Sequence, residues 1–558
     1  MKSNIIFKSV AALLAAGALA GCSSDYLEVE PTTVVSLATV RNTQAGAQAA
    51  IYGLCGAMYT PYAVSNSNLQ FNGEPTLQVF YGDVLGQDYY SYFWCYRAPF
   101  VMTMDRMRDY QTWMCALPWT YCYNLISQAN SILVGIDDID GERDKLDFIK
   151  AEALTIRAHA YVRILQLYGP RWADSRDGER MVAVLRKEPG TEDLPLSPMK
   201  DFFTLIYEDL DNAIQLFEST RTQRKFIWEP DEDVARGIYA RAALLKNDYP
   251  TAETMAREAR KNGRYPIMSA EEYQGGFAEA NDEWMWANAA ELERAAYWSN
   301  GAYYAVNGAY VDWNLGVGAI NYELYRQIPA GDIRANLFFT PDKLENSSLR
   351  VSSFWNKDIC DPASMSLAKN TNMKNQYKMF GEKRIPGGDT EKWARPYYSR
   401  LTGNADCDVF FGSQYKFWGL DSYGTCSVPF MRGAEMLLTE AEAACHNHNE
   451  TRAKELLIEL NAKRNPNYVC NKSGEALLAE VKLQRRIELW GEGFSFFDLK
   501  RWGESLVRNP WKAGDVNSNN IPQAYQLNVS PDGQSGWRWA VPINEVQYNT
   551  LIDRSLLD

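Results

Sequence analysis

Histidine is scarce, with three in 558 residues, and that scarcity removes whole classes of chemistry. His446 and His448 stand two apart in a loop-like stretch and read as solvent-exposed, whereas His159 falls inside an amphipathic helix as a structural residue. No His-Glu-x-x-His appears for a zinc hydrolase and no Gly-x-Ser-x-Gly for a serine nucleophile. The cysteines form no CxxC pair, so neither a zinc ribbon nor a dithiol redox centre has support. Calcium has no EF-hand spacing behind it. Lys/Arg runs are absent and the net charge is −13, which makes nucleic acid and anionic membrane surfaces poor partners. Past the N-terminus no apolar run approaches the roughly 20 residues that span a bilayer.

What is present begins with Lys2, Lys8 and the small, apolar run Val10–Ala20, followed by Leu19-Ala20-Gly21-Cys22. This is similar to a bacterial lipoprotein signal over residues 1–21 with its lipobox. The resemblance implies cleavage before Cys22, a diacylglyceryl thioether and an acylated amine on that cysteine. Several acyl chains matter because a single one anchors only marginally. Ser23-Ser24-Asp25 then opens the mature chain, and losing Lys2 and Lys8 takes the net charge from −13 to −15. Of the 10 cysteines, nine remain, an odd number that leaves at least one thiol free or paired between chains. Cys115 and Cys122 lie in a helical-looking segment and read as core residues.

Length alone calls for two lobes or an extended array. In Asp144–Tyr168, Phe148, Ala151, Leu154, Ala158, Val162 and Leu165 recur every three or four residues, and Gly169-Pro170 ends the run. Val234, Ile238, Ala242 and Leu245 form another stripe, and Ala252, Ala256 and Ala259 follow the turn Asn247-Asp248-Tyr249-Pro250. Arg432–His446 repeats the arrangement: Asn447-His448-Asn449 breaks it, and Ala453, Leu457 and Leu460 come next. These second stripes, spaced four then three after a short turn, resemble the second helix of a tetratricopeptide repeat. Unrelated helical hairpins in a bundle are the plainer alternative. Residues 60–100 and 265–430 are instead rich in Gly, Asn, Asp, Tyr and Trp without sustained period. The fold expected is mainly α: a tetratricopeptide-like helical scaffold with long aromatic-rich loop inserts. Its regions are 22–264 (including loop 60–100), the insert 265–430, and 431–558.

The sharpest motif runs Leu483-Gln484-Arg485-Arg486-Ile487-Glu488-Leu489-Trp490-Gly491-Glu492-Gly493-Phe494-Ser495-Phe496-Phe497-Asp498-Leu499-Lys500-Arg501-Trp502-Gly503. Its residues read as a structural corner. Arg485 and Glu488, or Glu488 with the next turn, can pair on one helix, Gly493 suits a helix end, Asp498 can cap the next helix, and the aromatics bury apolar area. The motif closely resembles the hallmark of SusD/RagB-type nutrient-binding lipoproteins. Asp25-Tyr26-Leu27, the Arg432–Asn465 helical pair and the closing Trp539-Ala540-Val541-Pro542-Ile543-Asn544-Glu545 agree with it. Gln484 stands where that family usually has Glu, which weakens one expected ion pair.

This resemblance implies an outer-membrane lipoprotein that lids a SusC-like TonB-dependent transporter and is not an enzyme. Its ligand would be a glycan, or a peptide in the RagB-like alternative. A sugar ring offers an apolar C–H face with hydroxyls at its rim, and 17 Trp and 33 Tyr supply flat partners. Several cluster in Phe80–Trp94 and Tyr297–Trp313, zones comparable to those where family members place ligand loops. The candidate contacts are Trp94, Trp298, Tyr304 and Trp313, with Asp83 and Asn307 as rim hydrogen bonders. A surface glycoside hydrolase is a less favoured reading. It needs two carboxylates roughly 5–10 Å apart, and among 70 acidic residues no local pair is informative.

Overall fold

The computed structural model describes residues 43–60, 73–90, 102–107, 109–288, 318–338, 426–510 and 537–553, with short pieces at 368–369, 408–409, 412, 414, 416–417, 512, 519, 521 and 525–530. Cys22, Trp94, Trp298, Tyr304, Asn307 and Trp313 lie outside the described residues.

Helices carry the structure. The first, α1 (Gln44–Ala57), is followed by α2 (Trp113–Leu133), α3 (Arg143–Tyr168), α4 (Met199–Ser219), α5 (Glu232–Lys246) and α6 (Tyr249–Ala259). The C-terminal part adds α7 (Gly433–His446), α8 (Glu450–Asn461), α9 (Gly474–Glu488) and α10 (Ser495–Trp502). Side-chain caps start several of them by satisfying amide donors that have no partner within the helix. Thr112 accepts from Cys115 N, Asp231 from Val234 N, Asp248 from Thr251 N, and Asn449 from Arg452 N.

Each helix from α2 to α8 packs on the next along the chain, α9 packs back on α7 and α8, and α1 covers α2 and α3. The two turns that looked alike in sequence prove equivalent and adjacent. Asn247 ends α5 in the left-handed region at φ 61°, and Asn447 of the other turn donates to Glu253 on α6 at 2.7 Å. His446 half-buries between them, its ring stacked 3.8 Å from that of Tyr249, and so corrects the expectation that it is solvent-exposed. His448 is exposed.

The stripes Ala252/Ala256/Ala259 and Ala453/Leu457/Leu460 are fully buried, small or slender residues where neighbouring helices meet. In α3 the expected single stripe widens. Helices α1, α2 and α4 surround it, so most of its side chains are buried and the amphipathic pattern is lost. One apolar core runs from Ala47 to Val541, and a satellite core gathers around Leu437, Leu457 and Leu477. At about 1.5–3 kcal/mol for each large apolar side chain buried, these cores dominate the driving force.

Short antiparallel ribbons tie the loops to the helices. β1 (Tyr89–Tyr90) pairs with β5 (Ala319–Ile320), β2 (Met181–Val184) with β3 (Leu196–Pro198), and β4 (Trp284–Ala287) with β6 (Pro429–Arg432). β7 (Leu506–Arg508) pairs with β8 (Leu527–Val529). Cys115 and Cys122 lie in the core as free thiols, as does Cys55, and Cys426 is buried. Among the described residues, no helix is long and apolar enough to cross a membrane.

Candidate functional site

The motif at 483–503 forms the corner between α9 and α10, and its polar side chains face inward. Glu488 is fully buried and sits among three arginines from distant segments: Arg464 at 3.0 Å, Arg432 at 3.0 Å and Arg334 at 3.4 Å. Burial alone would raise its carboxyl, yet Arg464 and Arg432 hold it well below the usual carboxylate range. Glu492 completes the hub, pairing with Arg432 at 2.6 Å and Lys416 at 2.5 Å. Glu283 pairs with Arg432 at 2.7 Å, and Asp332 with Arg334 at 2.6 Å.

Four cations thus meet four carboxylates in one buried cluster. That balance explains Gln484. Its amide oxygen accepts from Arg334 at 2.7 Å and its nitrogen donates to Glu480 at 2.9 Å, so a neutral residue bridges the two without adding a fifth carboxylate to the hub.

Two readings of the motif need correction. Arg485 does not pair with Glu488; it reaches across the corner to Asp498 at 2.6 Å. Asp498 therefore does not cap α10, and its other oxygen takes Arg501 at 2.9 Å. The cause is tertiary. Both acids are buried; Glu488 is met by cations from other segments, and Asp498 by Arg485 from across the corner together with Arg501 of its own helix. The glycines do close the corner. Gly493 has φ +94°, and a Cβ on Gly82 would fall 2.3 Å from the Gly493 carbonyl oxygen. Only two bare backbones fit that approach.

Asp83 belongs to this corner. It is 2% exposed, and its carboxylate accepts from the backbone N–H of Gly493 at 2.6 Å and Ser495 at 3.4 Å. Burial pushes it up to about 8, while those two N–H groups pull the other way. The structure places it inside the fold, not on an exposed rim as the sequence had led us to expect. His159 is also internal: its Nε2 lies 3.0 Å from Glu74, a carboxylate shared with Arg163.

The corner also roots the loops. Trp490 is 3% exposed, stacks on Tyr89 of β1 and donates from Nε1 to the Asp88 carbonyl at 2.7 Å. Arg486 clamps the Asp88 carboxylate at 2.6 and 2.8 Å. Phe338 meets Trp490 edge-on at 4.8 Å. β5 runs beside β1, Asn321 donates to the Gln87 carbonyl at 2.8 Å, and Gln414 N bonds Gly318 O at 2.9 Å. The described residues 90, 318 and 338 therefore come together near one tryptophan. Sequence reasoning did not find Arg334, Lys416, Arg432 or Arg464, because nothing in local spacing links residues that far apart. Among the described residues, no group of three or more His, Cys, Asp or Glu is arranged to hold a metal ion.

Stacked helical hairpins closed by a buried corner of matched charges define a helical-hairpin protein. A profile described as the SusD family matches residues 413–554, and one described as "Starch-binding associating with outer membrane" matches 26–244. The chain belongs to the SusD/RagB family; it is a SusD-like binding protein and not an enzyme. Its fold matches a SusD-like carbohydrate binding protein of Bacteroides vulgatus at 20% identity and TM-score 0.68, covering 92% of this chain and 97% of that one. A SusD superfamily protein of Bacteroides thetaiotaomicron matches at 19% identity and TM-score 0.66, with 92% and 99% covered. One from Parabacteroides distasonis matches at 14% identity and TM-score 0.62, with 91% and 98% covered. Among curated proteins none matches the chain.

Proposed function

We propose that the chain is a lipid-anchored outer-membrane protein that captures an oligosaccharide and passes it to a SusC-like TonB-dependent transporter. The observation that carries this reading is the pairing of Tyr90 with Ala319. Trp94 follows Tyr90 by four residues and Trp313 precedes Ala319 by six. At roughly 3.5 Å per residue, about 14 Å and 21 Å of chain separate them from the same strand pair. Two aromatic clusters far apart in sequence thus start from one place. Trp94, Trp298, Tyr304 and Trp313 would stack on sugar faces, with Asn307 at the hydroxyl rim. In this reading region 22–264 and region 431–558 form the scaffold, and 265–430 supplies the platform.

Capture breaks no bond. Stacking and rim hydrogen bonds hold the ligand, and lipid on Cys22 keeps the protein beside its transporter. Modest affinity is then sufficient, because tethering raises the effective concentration. Members of the matched family are described as associating with the outer membrane, and a similar fold is called carbohydrate binding, which supports the reading. A RagB-like peptide ligand is the alternative.

Calorimetry on protein starting after Cys22, against plant and host glycans and a peptide mixture, tests it. Binding of an unchanged glycan that Trp298→Ala or Trp94→Ala removes is the expected result. Peptide-only binding moves the protein to the RagB-like branch, and cleaved ligand overturns the capture mechanism.

A further inference from the structure

A second group of aromatic rings lies on elements other than those that root the loops around Trp490. Phe226 and Trp228 stack with ring centroids 4.8 Å apart and planes 10° apart, and Tyr52 of α1 meets Trp228 edge-on at 5.1 Å. Phe226 is 47% exposed, while Tyr52 and Trp228 are half-buried. The backbone beneath is tied down. Glu229 accepts from Lys225 N at 2.8 Å and Phe226 N at 2.7 Å, and it also holds the Tyr52 hydroxyl. The Trp228 carbonyl takes Trp286 Nε1 at 3.0 Å, and Arg224 donates to the Met285 carbonyl at 2.6 Å.

Folding gains little from leaving a phenylalanine half in water, yet this one is held in a single orientation by its neighbours. Its inner face is covered by Trp228, which directs the exposed part of the ring outward. Gln223 and Lys225, just ahead of it in the chain, stand exposed, with polar ends suited to a hydroxyl rim. Size discriminates between partners. A stable protein contact buries about 800 Å² on each side, far more than three partly covered rings offer, whereas one sugar ring needs only a ring-sized face. The patch also adjoins the insert, because Ile227 O bonds Ala287 N at the end of β4 and the segment 289–317 begins two residues later.

We propose that Phe226, backed by Trp228 and Tyr52, is a second carbohydrate-stacking surface that takes a pyranose ring of a long glycan chain. This rests on the glycan reading above and adds a contact outside the loop platform. Rigid presentation matters here because a preorganised ring loses little entropy when it stacks.

Affinity electrophoresis in gels containing amylopectin, xylan, mannan, pectin or mucin tests it, using wild type, Phe226→Ala and Trp94→Ala. Matching melting temperatures serve as the folding control. Where a gel retards wild type, Phe226→Ala should bind about threefold to tenfold more weakly, the range expected for one lost aromatic contact. Unchanged retardation of Phe226→Ala in every such gel overturns the second surface and leaves the loop platform standing. Loss with Phe226→Ala but not with Trp94→Ala overturns the Trp94 platform and upholds the second surface. Retardation of wild type in none of the gels overturns both.

Discussion

Trp490 stacks on Tyr89 with ring centroids 5.1 Å apart and planes 28° apart, joining the family motif to the strand that leads into the Trp94 segment. The contact spans four hundred residues of sequence and is reinforced by the indole N–H on the Asp88 carbonyl. In the proposed glycan reading, a motif with no reactive group of its own bears on binding through position.

Replacing Trp490 with phenylalanine should test this. The substitution keeps apolar packing but removes the hydrogen bond to Asp88, a loss of about 1 kcal/mol in stability. Glycan affinity should fall by more than stability does, since the roots of two segments loosen together. Calorimetric Kd beside the thermal midpoint separates the two effects; a change in midpoint alone would make Trp490 purely structural.

Glu488→Gln should be far more damaging. It leaves three buried arginines around a neutral amide, and breaking a buried pair in this way costs about 3–5 kcal/mol. Urea unfolding measures the loss. Combining it with Arg464→Met should recover part of the stability, because the surplus cation goes as well.

The corner's tolerance for a single methyl is equally checkable. Gly82→Ala puts a Cβ against the Gly493 backbone and should prevent the corner from closing, with a stability loss of at least about 3 kcal/mol. Gly53→Ala in α1 meets nothing within 4 Å and should stabilise by about 0.5–1 kcal/mol. Soluble yield and thermal midpoints compare them directly.

Glu152 predicts a pH dependence. It is fully buried on α3, neither oxygen has a hydrogen-bond partner among the described residues, and burial, then Glu229 and Asp231, push its carboxyl well above the usual range. Its folded pKa is raised, so the stability tied to its protonation is complete below the unfolded value and is lost as pH rises toward the folded one. Glu152→Gln should match wild type near pH 4.5 and be progressively more stable above it, by at most about 1.4 kcal/mol per pH unit. Parallel unfolding curves across that range would remove Glu152 as the titrating group.

Much of the scaffold was legible because its determinants are local. Helical spacing, the short turns at 247–250 and 447–449, and the small-residue stripes at 252–259 and 453–460 act within a turn or two of chain, so sequence alone placed those hairpins. The motif's architectural role was legible too, from its glycines and aromatics.

Partner choice was not. Local spacing favoured Arg485 with Glu488 on one helix, but burial made each seek the strongest charge the fold brought near, Asp498 for one and three arginines for the other. Asp83 looked like a surface rim residue, since an acidic side chain in an aromatic stretch reads the same whether it meets water or backbone amides. Sequence by itself determined the helical hairpins, the corner and the family, because those rest on short-range periodicity and stereochemistry. Tertiary structure alone decided which carboxylate meets which cation and which loop roots lie side by side, because those depend on contacts between residues hundreds of positions apart.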